Sequence, residues 1–463
     1  MDTAAKTAAR ALWHGEFRAT LALAWPMVGS NLLQMAVYAI DVMFVARLSK
    51  IEFAAATLGV FLISVIQWAL LGLVTASAPL IAAERGRRTH AVREVRYTVR
   101  MALWLSVLAS LPFLVLLAHG DWLLIQAGQD PQVAARAGDF LRILLFALIP
   151  GLVVGALRTA ASALECPRWA MLIACLGLLI GLTTNWLLVF GHGGFPALGL
   201  EGAAFASVIT ATLMMLAFGL VFFLDRRLKR YRLFGYWWQP KWQRMGAIVQ
   251  LGAPIALAWT MEGALFGGAA MLMGLIGVSE VAAHAVALNI AALAFQIPLG
   301  VAQATTIRVG LAFGGRHRDA VARAGWAGIA LGTGVMLVTA LAIWIAPRLL
   351  IGIYLDPLAP QNAQVVSLAV QYLFVAALFQ LFDGAQAVTG GALRGLQDTR
   401  VPMLIAAFGF WVAGFGTALA LGFWTPLQGQ GIWIGLAAGL AVTSALLLRR
   451  WMRREALGLV ARL

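Results

Sequence analysis

The sequence predicts an all-α polytopic membrane protein, with twelve transmembrane helices in two parallel six-helix repeats (6+6) around a central cavity. Three observations support this fold class. The 463 residues are 62% hydrophobic and 11% charged, which leaves too little polar surface for a protein that faces water on all sides. The apolar residues gather in runs that are long enough to cross a bilayer. The two halves of the chain also resemble each other, which indicates an internal repeat.

The apolar runs are predicted to be helices. Only α-helices and closed β-barrels satisfy backbone hydrogen bonds inside lipid, and these runs lack the alternation of a barrel strand. Residues 1–18 have no cleavable signal sequence and are interpreted as a short interfacial amphipathic segment. The predicted spans lie near residues 19–46, 54–82, 99–118, 140–163, 169–190, 199–224, 246–274, 282–307, 325–346, 366–391, 402–424 and 431–448.

The positive charges predict the orientation of the chain. Lys and Arg gather in the two terminal segments and in alternate loops, at residues 85–100, 226–244 and 308–323. The loops between them hold few basic residues, so the positive-inside rule places both termini in the cytoplasm. The net charge of +15 is then a topology signal, and no nucleic-acid partner is expected.

The internal repeat divides the chain into two predicted lobes. Pro26 falls on Pro254, and the tetrapeptide MLIA occurs in both halves, when the halves are superposed at a shift of 228–232 residues. The N-terminal lobe takes residues 1–235 with the first six spans, and the C-terminal lobe takes residues 236–463. Six helices per half give both lobes the same orientation, with a central cavity expected between them.

Three acids lie within the apolar runs and are the strongest candidates for a functional site. They are Asp41 in the first span, Glu262 in the seventh and Asp383 in the tenth. A carboxylate at this depth costs about 2.5–3.5 kcal/mol on insertion scales, so an intramembrane acid indicates a function. The repeat does not duplicate them, because Glu262 falls on Gln34 in the other half.

Polar side chains recur at helical spacing beside these acids. Such stripes either form hydrogen bonds between helices or bind ions and substrate, and the spacing alone leaves both interpretations open. The stripes are Asn31, Gln34, Tyr38 and Asp41 in the first span, Asn289, Gln296 and Gln303 in the eighth, and Gln380, Asp383 and Gln386 in the tenth.

Four motifs carry a resemblance to a known family. They are LQMAVYAIDVMFVARLS, LGAPIALAWTMEGALF, IPLGVAQATTIRVG and LFQLFDGAQAVTGGALRGLQDTRVPM, from the first, seventh, eighth and tenth spans. Together they resemble the multidrug and toxic compound extrusion family, in its NorM-type branch. The resemblance covers nearly the whole chain.

The resemblance implies a secondary antiporter that exports organic cations and other amphipathic drugs in exchange for H⁺ or Na⁺. It further implies a monomer in a bacterial inner membrane, in contact with lipid and with no cofactor besides the coupling ion. The family's essential acids map onto Asp41, Glu262 and Asp383, with a possible Na⁺ site at the last two. The expected substrate-binding or supporting residues are Gln34, Tyr38, Asn289, Phe295, Gln296, Gln380 and Gln386.

The coupling ion is open at this stage, and the sequence favours H⁺. Burial favours the neutral form of a carboxyl group, so Glu262 or Asp383 could hold a proton, or Na⁺ with further oxygens. Phe295 lies where some family members place a tyrosine, and a phenyl ring offers no oxygen to a cation. A lipophilic cation would compete with either ion, and the gradient of one would drive the other through alternating access.

Three other interpretations were weighed. A major facilitator transporter also has 6+6 parallel repeats, but the sequence resembles one only at ERGRR. A lipid or polysaccharide-lipid flippase of the same wider superfamily usually has fourteen spans and needs a basic cavity, whereas the acids found here are negative. An intramembrane enzyme is not expected, because the chain lacks H-E-x-x-H, G-x-S-G and Walker A motifs.

Overall fold

The computed structural model describes residues 2–88, 90–233, 235 and 239–460, and only the backbone of residues 2–6, 8 and 9. These residues form helices joined by short turns, which confirms the predicted all-α class. The α-helices are α1 (Asp2–Val45), α2 (Lys50–Thr75), α3 (Ser77–Arg87), α4 (Ala91–Ala118), α5 (Gly120–Gln126), α6 (Pro131–Leu144), α7 (Leu148–Ala163), α8 (Arg168–Phe190), α9 (Gly199–Leu224), α10 (Arg226–Lys229), α11 (Trp242–Ile276), α12 (Val278–Gly314), α13 (Arg318–Ile345), α14 (Pro347–Ile351), α15 (Ala363–Gly395), α16 (Arg400–Ala407), α17 (Gly416–Phe423) and α18 (Gly429–Met452). Short 3₁₀ turns at Leu145–Ala147 and Pro360–Asn362 and a π-helix at Phe408–Phe415 complete the list.

Twelve helical segments of the described chain are long and apolar enough to cross a membrane, so the predicted number of spans is confirmed. The first of them, within α1, differs at its start from the sequence-based interpretation. Helix α1 begins at Asp2 and continues without a break to Val45. The predicted interfacial segment is therefore the first part of this helix, and its position at a membrane surface stays a prediction.

The chain forms two compact units that are not simple halves. The N-terminal unit is Gly29–Ala256, and the C-terminal unit combines Met1–Val28 with Leu257–Leu463. Each change of unit falls inside a helix, α1 or α11, two residues after a proline within it. Proline removes one backbone hydrogen bond and weakens a helix locally. The lobe boundary at residue 235, drawn from the repeat, stays a prediction.

The N-terminal unit packs its core between α2, α4, α6, α7 and α9. Leu117, Leu141 and Leu152 are fully buried there. At one end of this unit Arg244 at the start of α11 forms ion pairs with Glu84 at 3.0 Å and with Glu94. These contacts hold the first part of α11 against α3 and α4.

The C-terminal unit packs around α15, which contacts α12, α13 and α18. Phe379 of α15 meets Trp433 of α18 edge to face, with ring centroids 5.7 Å apart, an arrangement that aromatic pairs favour. Backbones also approach closely through glycine. A methyl group on Gly391 of α15 would lie 2.6 Å from the carbonyl oxygen of Ala302 of α12, which explains why a residue without a side chain stands there.

The start of α1 is bound to α12 within the C-terminal unit. Arg308 donates hydrogen bonds from Nε and Nη2 to the two carboxylate oxygens of Glu16, each at 2.7 Å. Farther along, a methyl group on Gly300 of α12 would lie 2.8 Å from the backbone nitrogen of Val28. These two contacts explain why residues up to Val28 belong to this unit.

Candidate functional site

The N-terminal unit encloses a cavity of about 430 Å³. Most of its lining is apolar, from α1, α2 and the helices α6 to α9. Concave, mainly apolar sites with a few polar groups are typical of small-molecule binding. The polar lining residues are Gln34, Tyr38, Asp41, Thr57, Ser64, Gln67, Ser207 and Thr210.

The polar stripe of α1 reaches this cavity. Gln34, Tyr38 and Asp41 all line it, as expected for residues at spacings of four and three on one helical face. Tyr38 is exposed, at 40% of its reference surface. The structure thus brings three sequence-predicted site residues to one wall, and their role in binding stays a prediction.

Asp41 is held by two side chains from neighbouring helices. Asn185 of α8 donates from Nδ2 to Asp41 Oδ1 at 2.7 Å, and Ser207 of α9 donates from Oγ to Asp41 Oδ2 at 3.1 Å. The same Asn185 Nδ2 also donates to the carbonyl oxygen of Gly181 at 2.9 Å. These bonds fix the carboxyl group of Asp41 on the wall of the cavity.

Arg158 of α7 is a second charged group beside the α1 stripe, and the sequence analysis missed it. Its Nη1 donates to the side-chain oxygens of Gln34 at 3.0 Å and Asn31 at 3.3 Å. A signal was present in the sequence, because the tetrapeptide GALR occurs at residues 155–158 and again at 391–394. An arginine at the same place in both halves points to a shared role for this position.

The C-terminal unit brings the other two acids together. Glu262 of α11 and Asp383 of α15 lie near enough for their charges to interact. Arg394, the second GALR arginine, interacts electrostatically with Glu262 in turn. Asp383 is only 5% exposed, and its Oδ1 has no hydrogen-bond partner among the described residues. A buried carboxyl oxygen without a partner is costly unless a proton, an ion or water satisfies it.

The amides of α15 lie near Asp383 along the same helix. Gln380 is buried and accepts a hydrogen bond from Thr339 of α13 at 3.2 Å. Its Nε2, and Oε1 of Gln386, have no partner within the described part of the chain. The stripe of the tenth span therefore keeps hydrogen-bonding capacity that the fold does not use.

The predicted residues of α12 are arranged differently. Asn289 donates to the carbonyl oxygen of Ala285 at 2.8 Å, and Gln296 to that of Ala292 at 3.2 Å. Both amides thus bind the preceding turn of their own helix. Phe295 is partly buried, and its predicted place beside Glu262 stays a prediction.

The described residues hold no group of three or more His, Cys, Asp or Glu side chains arranged to bind a metal ion. Any cation at Glu262 and Asp383 would therefore depend on amide, carbonyl or water oxygens for its other ligands. Protonation needs no further ligand.

Twelve apolar helical segments and acids buried within them define a polytopic α-helical membrane protein. Residues 26–187 and 254–419 match the sequence profile of the MatE family. The chain belongs to this family, which confirms the resemblance stated from the four motifs.

Relatives of known name extend the match over almost the whole chain. The chain is 46% identical, over 96% of its length and 95% of the relative, to "Probable multidrug resistance protein NorM" of Mesorhizobium japonicum. It is 36% identical to "Multidrug resistance protein NorM" of Burkholderia vietnamiensis, over 93% of each chain.

Solved structures share the fold. The eukaryotic MATE transporter AtDTX14 superposes with a TM-score of 0.84 at 22% identity, covering 97% of this chain and 99% of that one. The MATE transporter VcmN of Vibrio cholerae gives 0.87 at 16% identity, with the same coverage. At these identities the similarity concerns the fold alone.

Proposed function

We propose that this chain is a secondary multidrug antiporter of a bacterial inner membrane, which exports organic cations and other amphipathic drugs in exchange for protons. The observation that carries the proposal is the pair of acids, Glu262 and Asp383, inside the C-terminal unit. The unpartnered Oδ1 of Asp383 suits a group that must be free to take a proton or a cation. The names of the relatives, multidrug resistance proteins, support the substrate class.

The coupling follows from the energetics of buried charge. Two carboxylates near each other in an apolar surrounding are unfavourable, so a proton on one of them stabilises the pair. An organic cation can supply the same neutralisation when that proton leaves. Drug and proton then favour opposite states of the same acids, and each displaces the other as the protein alternates between inward and outward access.

Protons are the proposed coupling ion, with Na⁺ at Glu262 and Asp383 as the alternative. A hard cation takes several oxygen ligands. The positive charge of Arg394 acts on Glu262 and opposes a second cation there, while Phe295 supplies no oxygen. A proton needs only one carboxyl oxygen.

The cavity of the N-terminal unit is the proposed drug site. Its apolar lining suits the aromatic or aliphatic part of an amphipathic drug, and Asp41 supplies a negative charge on the wall for a basic group. The proposal takes the protein as a monomer with both termini in the cytoplasm. It requires no cofactor other than the coupling ion.

The roles of the C-terminal acids are tested by substitutions that preserve shape. Glu262→Gln and Asp383→Asn should each abolish gradient-driven drug efflux, because an amide cannot exchange a proton. Asp356→Asn, the same change in a loop between α14 and α15, is the control. Efflux would be measured in cells at matched expression of folded protein. Resistance equal to wild type in either variant would remove that acid from the mechanism.

The coupling ion is tested separately in Na⁺-free membrane vesicles that hold a proton gradient. Adding drug should release protons in proportion to drug uptake. Transport that requires Na⁺ and is insensitive to collapse of the pH gradient would contradict proton coupling and favour the Na⁺ alternative.

A further inference from the structure

Arg158 extends the face of the helices that lines the drug cavity of the N-terminal unit. On α6, the 3₁₀ turn and α7, the lining residues include Leu144, Ala147, Gly151 and Val154. Their spacings of three, four and three residues mark one side of a helix, and Arg158 occupies the next position of that series. The cavity-facing side therefore ends in a guanidinium group.

The guanidinium group is anchored but not neutralised. Asn31 and Gln34 accept hydrogen bonds from Nη1 alone. Nη2 and Nε of Arg158 make no hydrogen bond to the residues that the structure describes, and both acceptors are neutral amides. Arginine presents its donors as a planar fork that matches the two oxygens of a carboxylate. Arg158 thus keeps an edge of that fork, and a full positive charge, for another partner.

The opposite charge lies farther along the same wall. Asp41 follows Gln34 by seven residues on α1, which corresponds to roughly 10 Å along the helix. Asn185 and Ser207 hold Asp41 in place, as Asn31 and Gln34 hold Arg158. The cavity therefore has a fixed negative group and a fixed positive group, separated by apolar lining.

We propose that Arg158 is the anion-recognising end of this cavity, and that the cavity prefers amphipathic zwitterions with an acidic group roughly 10 Å from a basic one. The inference rests on the proposed function, because it assumes that this cavity is the drug site. The basic group would lie at Asp41 and the acidic group at Arg158, with the ligand's apolar part against the lining between them. A buried, paired acid of this kind gains more than an exposed one, since little water competes.

The test uses two synthetic aromatic ligands with the same dialkylammonium group. One carries a carboxylate roughly 10 Å from the nitrogen, and the other is its methyl ester. Dissociation constants are measured with purified full-length protein in detergent, without any ion gradient. Arg158→Gln should reduce the preference for the carboxylate over the ester by about tenfold or more, as expected for loss of a hydrogen bond to a charged group. Arg158→Lys should retain part of the preference.

Arg142→Gln is the matched control, since Arg142 lies on the same pair of helices and forms ion pairs with Asp121 and Asp139. A preference that Arg158→Gln leaves unchanged, or that Arg142→Gln reduces equally, would overturn the inference. If Arg158→Gln does not fold, the wild-type protein still decides the question. It should bind the 10 Å zwitterion more tightly than one whose carboxylate is adjacent to the ammonium, and equal affinities would refute the proposal. Gradient-driven efflux of the ester by wild type tests the proposed function alone, so the two failures are distinguishable.

Discussion

The ion pair between Glu16 and Arg308 makes a quantitative prediction about what holds α1 in the C-terminal unit. Both hydrogen bonds of the pair are 2.7 Å long, and the side chains of Glu16 and Arg308 are only 11% and 24% exposed. Glu16→Gln, Arg308→Gln and the double variant form a thermodynamic cycle. The cycle isolates the pair because Arg308 takes part in a further interaction, whose loss cancels between the two arms that change Arg308.

The expected coupling free energy follows from the geometry and the exposure. A hydrogen bond to a charged group contributes about 1.5–3 kcal/mol when it is buried, whereas exposed ion pairs contribute about 0.2–1 kcal/mol. This pair has two good bonds and is largely but not fully buried. We therefore expect a coupling of about 2 kcal/mol, well above that of a surface pair.

The assay is reversible unfolding in mixed detergent micelles, followed by tryptophan fluorescence at low ionic strength. The pair Asp139 and Arg142, with a bond of 2.8 Å and both side chains about half exposed, serves as the control cycle. Its coupling should stay below about 1 kcal/mol. A coupling at Glu16 and Arg308 no larger than that of the control would refute the reasoning that burial strengthens this pair.

Three further predictions concern topology, packing and charge. In a cysteine-free background, a cysteine at Lys50 should react with an impermeant thiol reagent in intact cells and one at Lys229 should not; the opposite pattern would reverse the orientation. Gly435→Ala should destabilise the protein by about 1–3 kcal/mol or more, because its methyl group would meet the backbone of α17, whereas Gly334→Ala, with no atom within 4 Å of the new methyl group, should not; equal unfolding midpoints would contradict this. Asp41→Asn should weaken binding of a fluorescent organic cation about tenfold or more, with a neutral ligand of equal size as the control, and an equal loss for both ligands would argue against a charge effect.

The spans could be predicted because hydropathy responds to the very property that places a helix in lipid. The ends of the helices could not. The third span was predicted at residues 99–118, yet α4 runs from Ala91 to Ala118, since Arg93 and Arg96 continue the backbone hydrogen bonds without being apolar. Hydropathy marks the part of a helix that prefers hydrocarbon, and helices extend beyond it.

The candidate site was predicted where a single residue is unusual and missed where partners come from elsewhere. Asp41 stands out as an acid in an apolar run. Its partners Asn185 and Ser207 are 144 and 166 residues away, on helices where one amide or hydroxyl has no special spacing. Only the fold brings them to the same carboxyl group.

Arg158 was missed for a different reason. The comparison of the two halves concentrated on what they do not share, the three acids. The arginines of the repeated GALR tetrapeptide are what they do share. The repeat also places Gln34 opposite Glu262, so an arginine next to an amide in one unit corresponds to an arginine acting on an acid in the other.

The division of α1 between two compact units has a consequence for biosynthesis. The N-terminal unit, Gly29–Ala256, is in effect inserted into a host formed by the residues before and after it. Translation delivers Glu16 early, but its partner Arg308 only after the entire inserted unit has been made. The first turns of α1 therefore await the later helices, whereas the inserted unit has all its own residues once Ala256 has left the ribosome. No single cut of the chain separates the two units, so fragments intended to fold alone would have to excise residues 29–256 and rejoin the host across that gap.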